Sequence, residues 1–547
     1  MNFRAGSFLT LVGAGLGAWQ GGSPSAVPVS SFHFVDRSAS AGLRLPTWCG
    51  RPEKPHILES GGTGLALFDC DGDRDLDLYL VNGWRLQGNQ VVERGRNLLY
   101  RNRGDGTFED ITASAGAGDE RWGTGVATGD VDGDGDIDLF ASNFGPDALY
   151  LNRGDCTFTT LPDGPGIDGW STGATLFDAD RDGDLDLYVA AYIDCTLDQV
   201  LDAQPTLDWH GLKVMLGPFG LEGKGNRYFE NLGGGRFRDA TEAAGLVDAG
   251  LYYSFSVAAV DFDGDRDLDL YVANDSNPNY LYQNDGRGHF QEVGLWSGAA
   301  LDENGLAQAG MGQAIGDVDG DGDPDLLVTN FSQDQSTLYA NLGQLMFEDV
   351  TRRWGLREPT FMPLSWGTIL ADFDLDRDLD LFIANGHIYP QADRAGIEGI
   401  RFKQPNLLLA KEGGRFTDLS QQSGPGLAVI ESSRGVAAGD LDGDGDVDLV
   451  VANVDAPPTL LRNDSPPRGA WLLVDAPGAL RVSAQVDGIQ LVRDFVAGGS
   501  YLSASDPCFH FGLGPVDWVD QLMLLYPDGT LKTLRHVAVN QRLRIPR

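Results

Sequence analysis

Seven short segments of the chain carry an aspartate at every second position of a nine-residue loop. The first three sets are Asp69, Asp71, Asp73, Asp75 and Asp77; Asp130, Asp132, Asp134, Asp136 and Asp138; and Asp178, Asp180, Asp182, Asp184 and Asp186. The fourth and fifth are Asp261, Asp263, Asp265, Asp267 and Asp269, then Asp317, Asp319, Asp321, Asp323 and Asp325. The last two are Asp372, Asp374, Asp376, Asp378 and Asp380, then Asp440, Asp442, Asp444, Asp446 and Asp448. Alternating carboxylates on a tight turn gather several hard oxygens around one point, which Ca2+ requires at about 2.3–2.6 Å. By analogy with EF-type loops, positions 1, 3 and 5 are expected to give side-chain oxygens, position 7 a backbone carbonyl and position 9 a bidentate carboxylate. Mg2+ prefers fewer protein ligands and more water. Zn2+ wants His or Cys, absent from the ligand positions. The expected cofactor is Ca2+, several per chain and up to seven.

The loops are not identical. Arg74, Arg266 and Arg377 stand at position 6, where glycine eases a positive φ. At position 4 the third loop has Arg181 and the sixth has Leu375. The sixth, lacking both glycines, is the loop least expected to be metal-loaded.

Each loop needs strands to hold it. A small apolar run such as Gly125-Val-Ala-Thr-Gly129 precedes the loop, and an alternating run such as Leu139-Phe-Ala-Ser-Asn143 follows it. A third run like Ala148-Leu-Tyr-Leu-Asn152, a glycine turn and a Phe-x-Asp segment such as Phe108-Glu-Asp110 complete the unit. The first aspartates are 61, 48, 83, 56, 55 and 68 residues apart, and an Asn follows thirteen residues later in every repeat but the third, which has Ala191. Four short strands per repeat is the sequence form of a propeller blade. The seventh repeat stops at Leu460-Leu-Arg-Asn463 without a fourth strand, whereas Phe34-Val-Asp36 matches one. The expectation is an all-β chain: a seven-bladed β-propeller over residues 27–466, closed by the N-terminal strand. A separate, small β-sandwich-like domain is expected over residues 469–547, where the repeat register vanishes and polar and apolar residues alternate.

Composition narrows the function classes. A hydrophobic content of 42% in 547 residues excludes a disordered chain. Eighty acidic against 40 basic residues, a net charge of −40, argues against nucleic acid or anionic membrane as partner. Five cysteines form no CxxC pair, and their odd number leaves at least one thiol without an intrachain partner. Arg4 followed by an apolar stretch from Phe8 to Ala18 reads as a signal peptide over residues 1–26. No other segment offers eighteen uninterrupted apolar residues, so no membrane span is expected in the mature chain. The expected location is secreted, extracellular or periplasmic.

These loops and strands resemble FG-GAP/VCBS-type calcium propellers, integrin-α-like in architecture. More narrowly, the chain is similar to the cartilage acidic protein-like family that ends in an ASPIC/UnbV domain. The most specific segments are Glu59-Ser-Gly-Gly62, Gly217-Pro-Phe-Gly-Leu221, Asn385-Gly-His-Ile-Tyr-Pro390, Ala497-Gly-Gly-Ser-Tyr-Leu502, Phe509-His-Phe-Gly-Leu-Gly514 and Tyr526-Pro-Asp-Gly529. The resemblance implies an exported, Ca2+-stabilised binding or adhesion protein without catalysis.

Other motifs are absorbed by the repeat. Gly169-Trp-Ser-Thr-Gly173 fits a nucleophile elbow but occupies the slot of Trp122-Gly-Thr-Gly125 on a strand entering a loop. Arg103-Gly-Asp105 and Arg153-Gly-Asp155 fall in the turn between third and fourth strands. Asn274-Asp-Ser and Asn330-Phe-Ser reuse the repeat's Asn. Long insertions, Gly83–Arg96, Tyr192–Gly225 and Gly386–Pro405, interrupt the first, third and sixth repeats on the face opposite the aspartate loops. They carry Trp84, Trp209, His210, Phe219, His387, Tyr389, Arg401 and Lys403. They are the expected face for an unknown extracellular protein or glycan, or else a cover for the propeller end or a dock for the C-terminal domain. The favoured function is non-enzymatic recognition, adhesion or structure. The alternatives are an enzyme acting on extracellular carbohydrate and a subunit of a surface assembly or filament.

Overall fold

The computed structural model describes residues 32–202, 205–248 and 250–546; the expected signal peptide lies outside them. The chain is all-β, with strands following the sequence register closely. The repeat of Trp122–Gly129, Asp138–Pro146, Ala148–Asn152 and Phe158–Thr160 recurs as seven four-stranded antiparallel units. Each aspartate loop joins the innermost strand of its unit to the second. Seven innermost strands neighbour one another in sequence order, and that of the seventh unit lies beside that of the first. The result is a propeller-like ring.

Glycine in the inner strands follows from that crowding. A Cβ on Gly125 would lie 2.4 Å from the Thr172 carbonyl oxygen of the next inner strand, and one on Gly173 would lie 2.5 Å from that of Phe255. Phe34–Asp36 pairs antiparallel with Thr459–Asn463, with Phe34 opposite Asn463. The seventh unit therefore takes its outer strand from the N-terminus, as its truncated repeat implies, and that edge is paired rather than open.

After the ring come two small sheets over a common apolar core that includes Leu472, Phe511 and Leu522. One orders Phe509–Gly514, Ala470–Asp475 and Gln541–Arg544. The other orders Ile489–Asp494, Arg481–Val486, Trp518–Leu525 and Leu531–Ala538.

One segment of this second unit reaches back into the ring. Ala497–Gly498 adds to the inner strand Tyr253–Val260 of the fourth unit, with Ala258 opposite Gly498. The chain then threads the centre of the ring. Ser500 N–H donates to the Gln313 carbonyl, the Leu502 carbonyl accepts from Val126 N–H, and Ala504 N–H donates to the Leu65 carbonyl. The Tyr501 ring is fully buried against Trp366 and Phe255, and its hydroxyl donates to the Gly61 carbonyl at 2.9 Å. Inner-strand carbonyls and N–H groups that face the axis find partners in this segment, which is why an irregular stretch can be buried there.

Candidate metal centres

In all seven loops the aspartates build the same scaffold from their own oxygens. Position 1 receives the position-6 N–H on one carboxylate oxygen: Asp130 Oδ2 accepts from Gly135 at 3.0 Å, and Asp440 Oδ2 from Gly445 at 3.1 Å. Positions 4 and 6 are both left-handed in every loop. Gly133 and Gly135 have φ of 80° and 96°, and Arg181, Leu375, Arg74, Arg266 and Arg377 adopt the same region despite their side chains. Loop geometry is thus common to all seven, including those without the favourable glycines.

Position 9 is a clamp. Asp138 Oδ2 accepts from Val131 N–H at 2.9 Å and its Oδ1 from Asn152 N–H at 2.8 Å. The same pair of bonds recurs at Asp77, Asp186, Asp269, Asp325, Asp380 and Asp448. At this position, where a bidentate carboxylate is expected, each oxygen already holds one backbone N–H, and Asp186 Oδ2 takes the Tyr228 hydroxyl as well. Burial pushes Asp77, Asp138, Asp186 and Asp325 up to about 7, with nearby aspartates adding to the shift and the backbone N–H bonds opposing it.

A second repeated contact ties the loops together. Six third strands end in Asn, whose amide donates to the position-2 carbonyl of the preceding loop. Asn152 reaches Cys70 O at 2.9 Å, Asn341 reaches Phe262 O at 2.8 Å, and Asn102 crosses the ring closure to Leu441 O at 2.9 Å. Cys70 and Cys156 join the same places of the first and second units by a disulfide, with Cα atoms 4.9 Å apart. Cys49, Cys195 and Cys508 remain free, in line with the odd count.

Several carboxylate groups come close enough to hold an ion, among them Asp69, Asp71 and Asp77, Asp130, Asp132 and Asp138, and Asp261, Asp263 and Asp265. The fit to a hard cation rests on more than proximity. Oδ1 of Asp71, Asp442 and Asp446 is buried with no hydrogen-bond partner among the described residues. Such anionic oxygens are costly to desolvate unless something cationic meets them. An all-oxygen donor set suits Ca2+, which would supply that charge and tie positions 1, 3 and 5 across the turn.

The remaining sequence candidates are structural. Ser171 is buried, with its hydroxyl on Asp147 Oδ2 at 2.8 Å and no helix behind it. The Asn274 and Asn330 amides are buried and donate to the Pro278 and Gln335 carbonyls. Asp105 and Asp155 accept from Thr107 and Thr157 within their own turns.

The three insertions pack together over one end of the ring. Trp84, Tyr192, Val214, Ile388 and Tyr389 share one apolar cluster with Trp122, Trp170 and Tyr501 of the channel. His387 is enclosed by Trp209, Phe331 and Tyr389, and burial pushes its imidazole down to about 3, so it stays neutral. The C-terminal domain meets this cluster through Tyr501 and Leu502 of its channel segment. It sits over the aspartate loops, where Arg542 donates to Arg74 O, His510 meets Gly445 O and Gly514 N–H donates to Leu375 O.

Arg434 was not legible as a site residue. It is fully buried beside Tyr501, stacks on Trp366 at 4.1 Å and donates to the Ser60, Ser433 and Gly386 carbonyls. Ser60 belongs to the Glu59-Ser-Gly-Gly62 segment, and Glu59 itself is buried in an ion pair with Arg51.

Comparison with known proteins fits this geometry. A family model described as FG-GAP-like repeat matches residues 69–141, 130–189, 219–272, 261–328, 317–383 and 399–451, more than half of the chain. The chain belongs to the FG-GAP-like repeat family. A second model, ASPIC and UnbV, matches residues 475–547. Cartilage acidic protein 1 of Xenopus tropicalis is 30% identical over 286 residues, 49% of this chain and 41% of that protein. Its Homo sapiens counterpart is 29% identical over 289 residues, 49% of this chain and 40% of its own. The matched stretch thus spans well under half of these relatives. A lectin of Agrocybe aegerita, solved for its recognition of non-reducing terminal N-acetylglucosamine, aligns over 68% of this FG-GAP chain and 87% of its own. Its TM-score of 0.39 and 16% identity carry no function across.

Proposed function

We propose that this FG-GAP protein is an exported, non-enzymatic recognition or structural protein whose seven sheets form a closed propeller stabilised by Ca2+ in its aspartate loops. The observation that carries the reading is the recurrence of one carboxylate scaffold in every repeat, with buried acceptor oxygens such as Asp442 Oδ1 unmet by protein donors. Calcium acts in it as a structural component. Position-1 and position-9 aspartates anchor the turn whether or not the ion is bound, so filling the loops stiffens a shape already present. The partner face is the insertion rim, where Phe219 is 55% exposed and His210 is exposed beside Trp209 on an otherwise acidic protein. Similarity to cartilage acidic protein 1 supports an extracellular setting. Among the described residues no helix is long and apolar enough to cross a membrane.

Metal analysis of protein dialysed against millimolar Ca2+ tests the reading. Several Ca2+ per chain are expected; a count of zero or one would sink it.

A further inference from the structure

The sixth loop shares the turn and the position-9 clamp of the other six but differs in what meets its carboxylates. Its third strand, Leu407–Glu412, carries Lys411 in place of the terminal Asn, so the side-chain tie to the preceding loop is missing. The Lys411 ammonium instead lies 2.8 Å from Asp378 Oδ1. Asp372 Oδ1 accepts from the position-5 N–H of Asp376, whereas Asp130 and Asp440 accept from position 4.

A second cation enters from outside the repeat. Arg468, in the linker to the C-terminal domain, places Nη1 2.9 Å from Asp376 Oδ2 and 3.3 Å from Asp374 Oδ2. Its backbone N–H donates to the Asp374 carbonyl at 3.0 Å. Three of the five aspartates are therefore paired with protein cations. No such pair reaches the second, third or fifth loop among the described residues; the first and seventh have only Arg101 at 3.9 Å from Asp71 and Arg462 at 3.6 Å from Asp442, and the fourth has one pair, Arg181 with Asp267, against three paired aspartates in the sixth. Arg377 at position 6 turns outward to the C-terminal domain, donating to the Leu513 carbonyl and pairing with Asp487.

From this we infer that the sixth loop holds no calcium. Lys411 and Arg468 stand where the ion's charge would be needed, and the loop serves as a charge-paired station that fixes the C-terminal domain to the ring. Protein ammonium and guanidinium groups and a divalent cation compete for the same oxygens, so the loop cannot satisfy both. The attachment it provides is independent of Ca2+, while the other loops depend on it. This inference rests on the reading of those other loops as Ca2+ sites.

The test is a Ca2+ count on the full chain by native mass spectrometry at saturating Ca2+. The wild type is expected to bind six ions. K411N with R468Q, which restores the Asn of the other repeats and removes the linker cation, is expected to bind seven. Seven in the wild type, or six in the double variant, would overturn the inference. Should the double variant not fold, two milder variants decide the matter. Asp376→Asn is expected to leave the count at six and Asp134→Asn, at the same position of the second loop, to lower it to five. A fall of one at Asp376→Asn would equally overturn it. A wild-type count of zero would remove the calcium reading itself, an outcome distinct from seven.

Discussion

Replacing Tyr501 tests whether the C-terminal segment pins the ring. The side chain is fully buried, edge-on to Trp366 at 4.7 Å and to Phe255 at 5.5 Å. Truncating a buried aromatic to alanine costs about 3–5 kcal/mol, because neighbouring side chains only partly refill the space. Tyr501→Phe keeps the ring but leaves the Gly61 carbonyl without its donor, a loss of about 1–3 kcal/mol. Leu531→Ala is the control: the side chain is 58% exposed, and its loss is expected within about 0.5 kcal/mol. Urea denaturation in saturating Ca2+, followed by tryptophan fluorescence, reads the change directly because Trp122, Trp170 and Trp366 line the same cluster. The expected order of midpoints is Leu531→Ala above Tyr501→Phe above Tyr501→Ala. A Tyr501→Ala midpoint equal to that of the control would refute the pin.

Three other features give equally direct tests. A chain starting at residue 32 should melt like the full protein, whereas one starting at residue 44 loses the strand paired with Thr459–Asn463 and should melt clearly lower; equal melting of the two would rule out closure by the N-terminus. In chelator, melting temperature should rise as pH falls from 8 to 5. The buried position-9 carboxylates have folded-state pKa values raised to about 7, so their protonated form favours folding, and that contribution is lost as pH rises through 7. Saturating Ca2+ should abolish the trend, and an apo protein that weakens on acidification over this range would contradict it. Replacing Cys70 and Cys156 together by Ser should cost about 2–4 kcal/mol in denaturation, given an 86-residue separation; an unchanged midpoint would show that the bond adds nothing.

The aspartate register made the loops and strands legible, because one nine-residue spacing fixes both the turn and the alternation that follows. The borrowed outer strand was legible too, from Phe34-Val-Asp36 matching a missing element. The channel segment was not. Ala497-Gly-Gly-Ser-Tyr-Leu502 has no period, and its partners, such as Leu65, Val126, Val257 and Gln313, are scattered over the preceding chain. Arg434 gave no signal because its partners are carbonyls, which no sequence pattern marks. Lys411 could have been noticed: Leu407-Leu-Leu-Ala-Lys411 ends in a cation where six other repeats end in Asn. The disulfide was open because five cysteines allow many pairings.

The pairing of Phe34 with Asn463 has a consequence for how the chain acquires its fold. The first strand to emerge in synthesis waits for more than four hundred further residues before its partner exists. The axis-facing aromatics Trp122, Trp170, Phe255 and Trp366 wait longer still, until Tyr501 arrives. Such non-local closure makes folding slow and leaves apolar surface open meanwhile. A chain interrupted before Thr459 would hold an unfilled, unclosed ring, so aggregation of truncated products is expected from the topology rather than from any one weak segment.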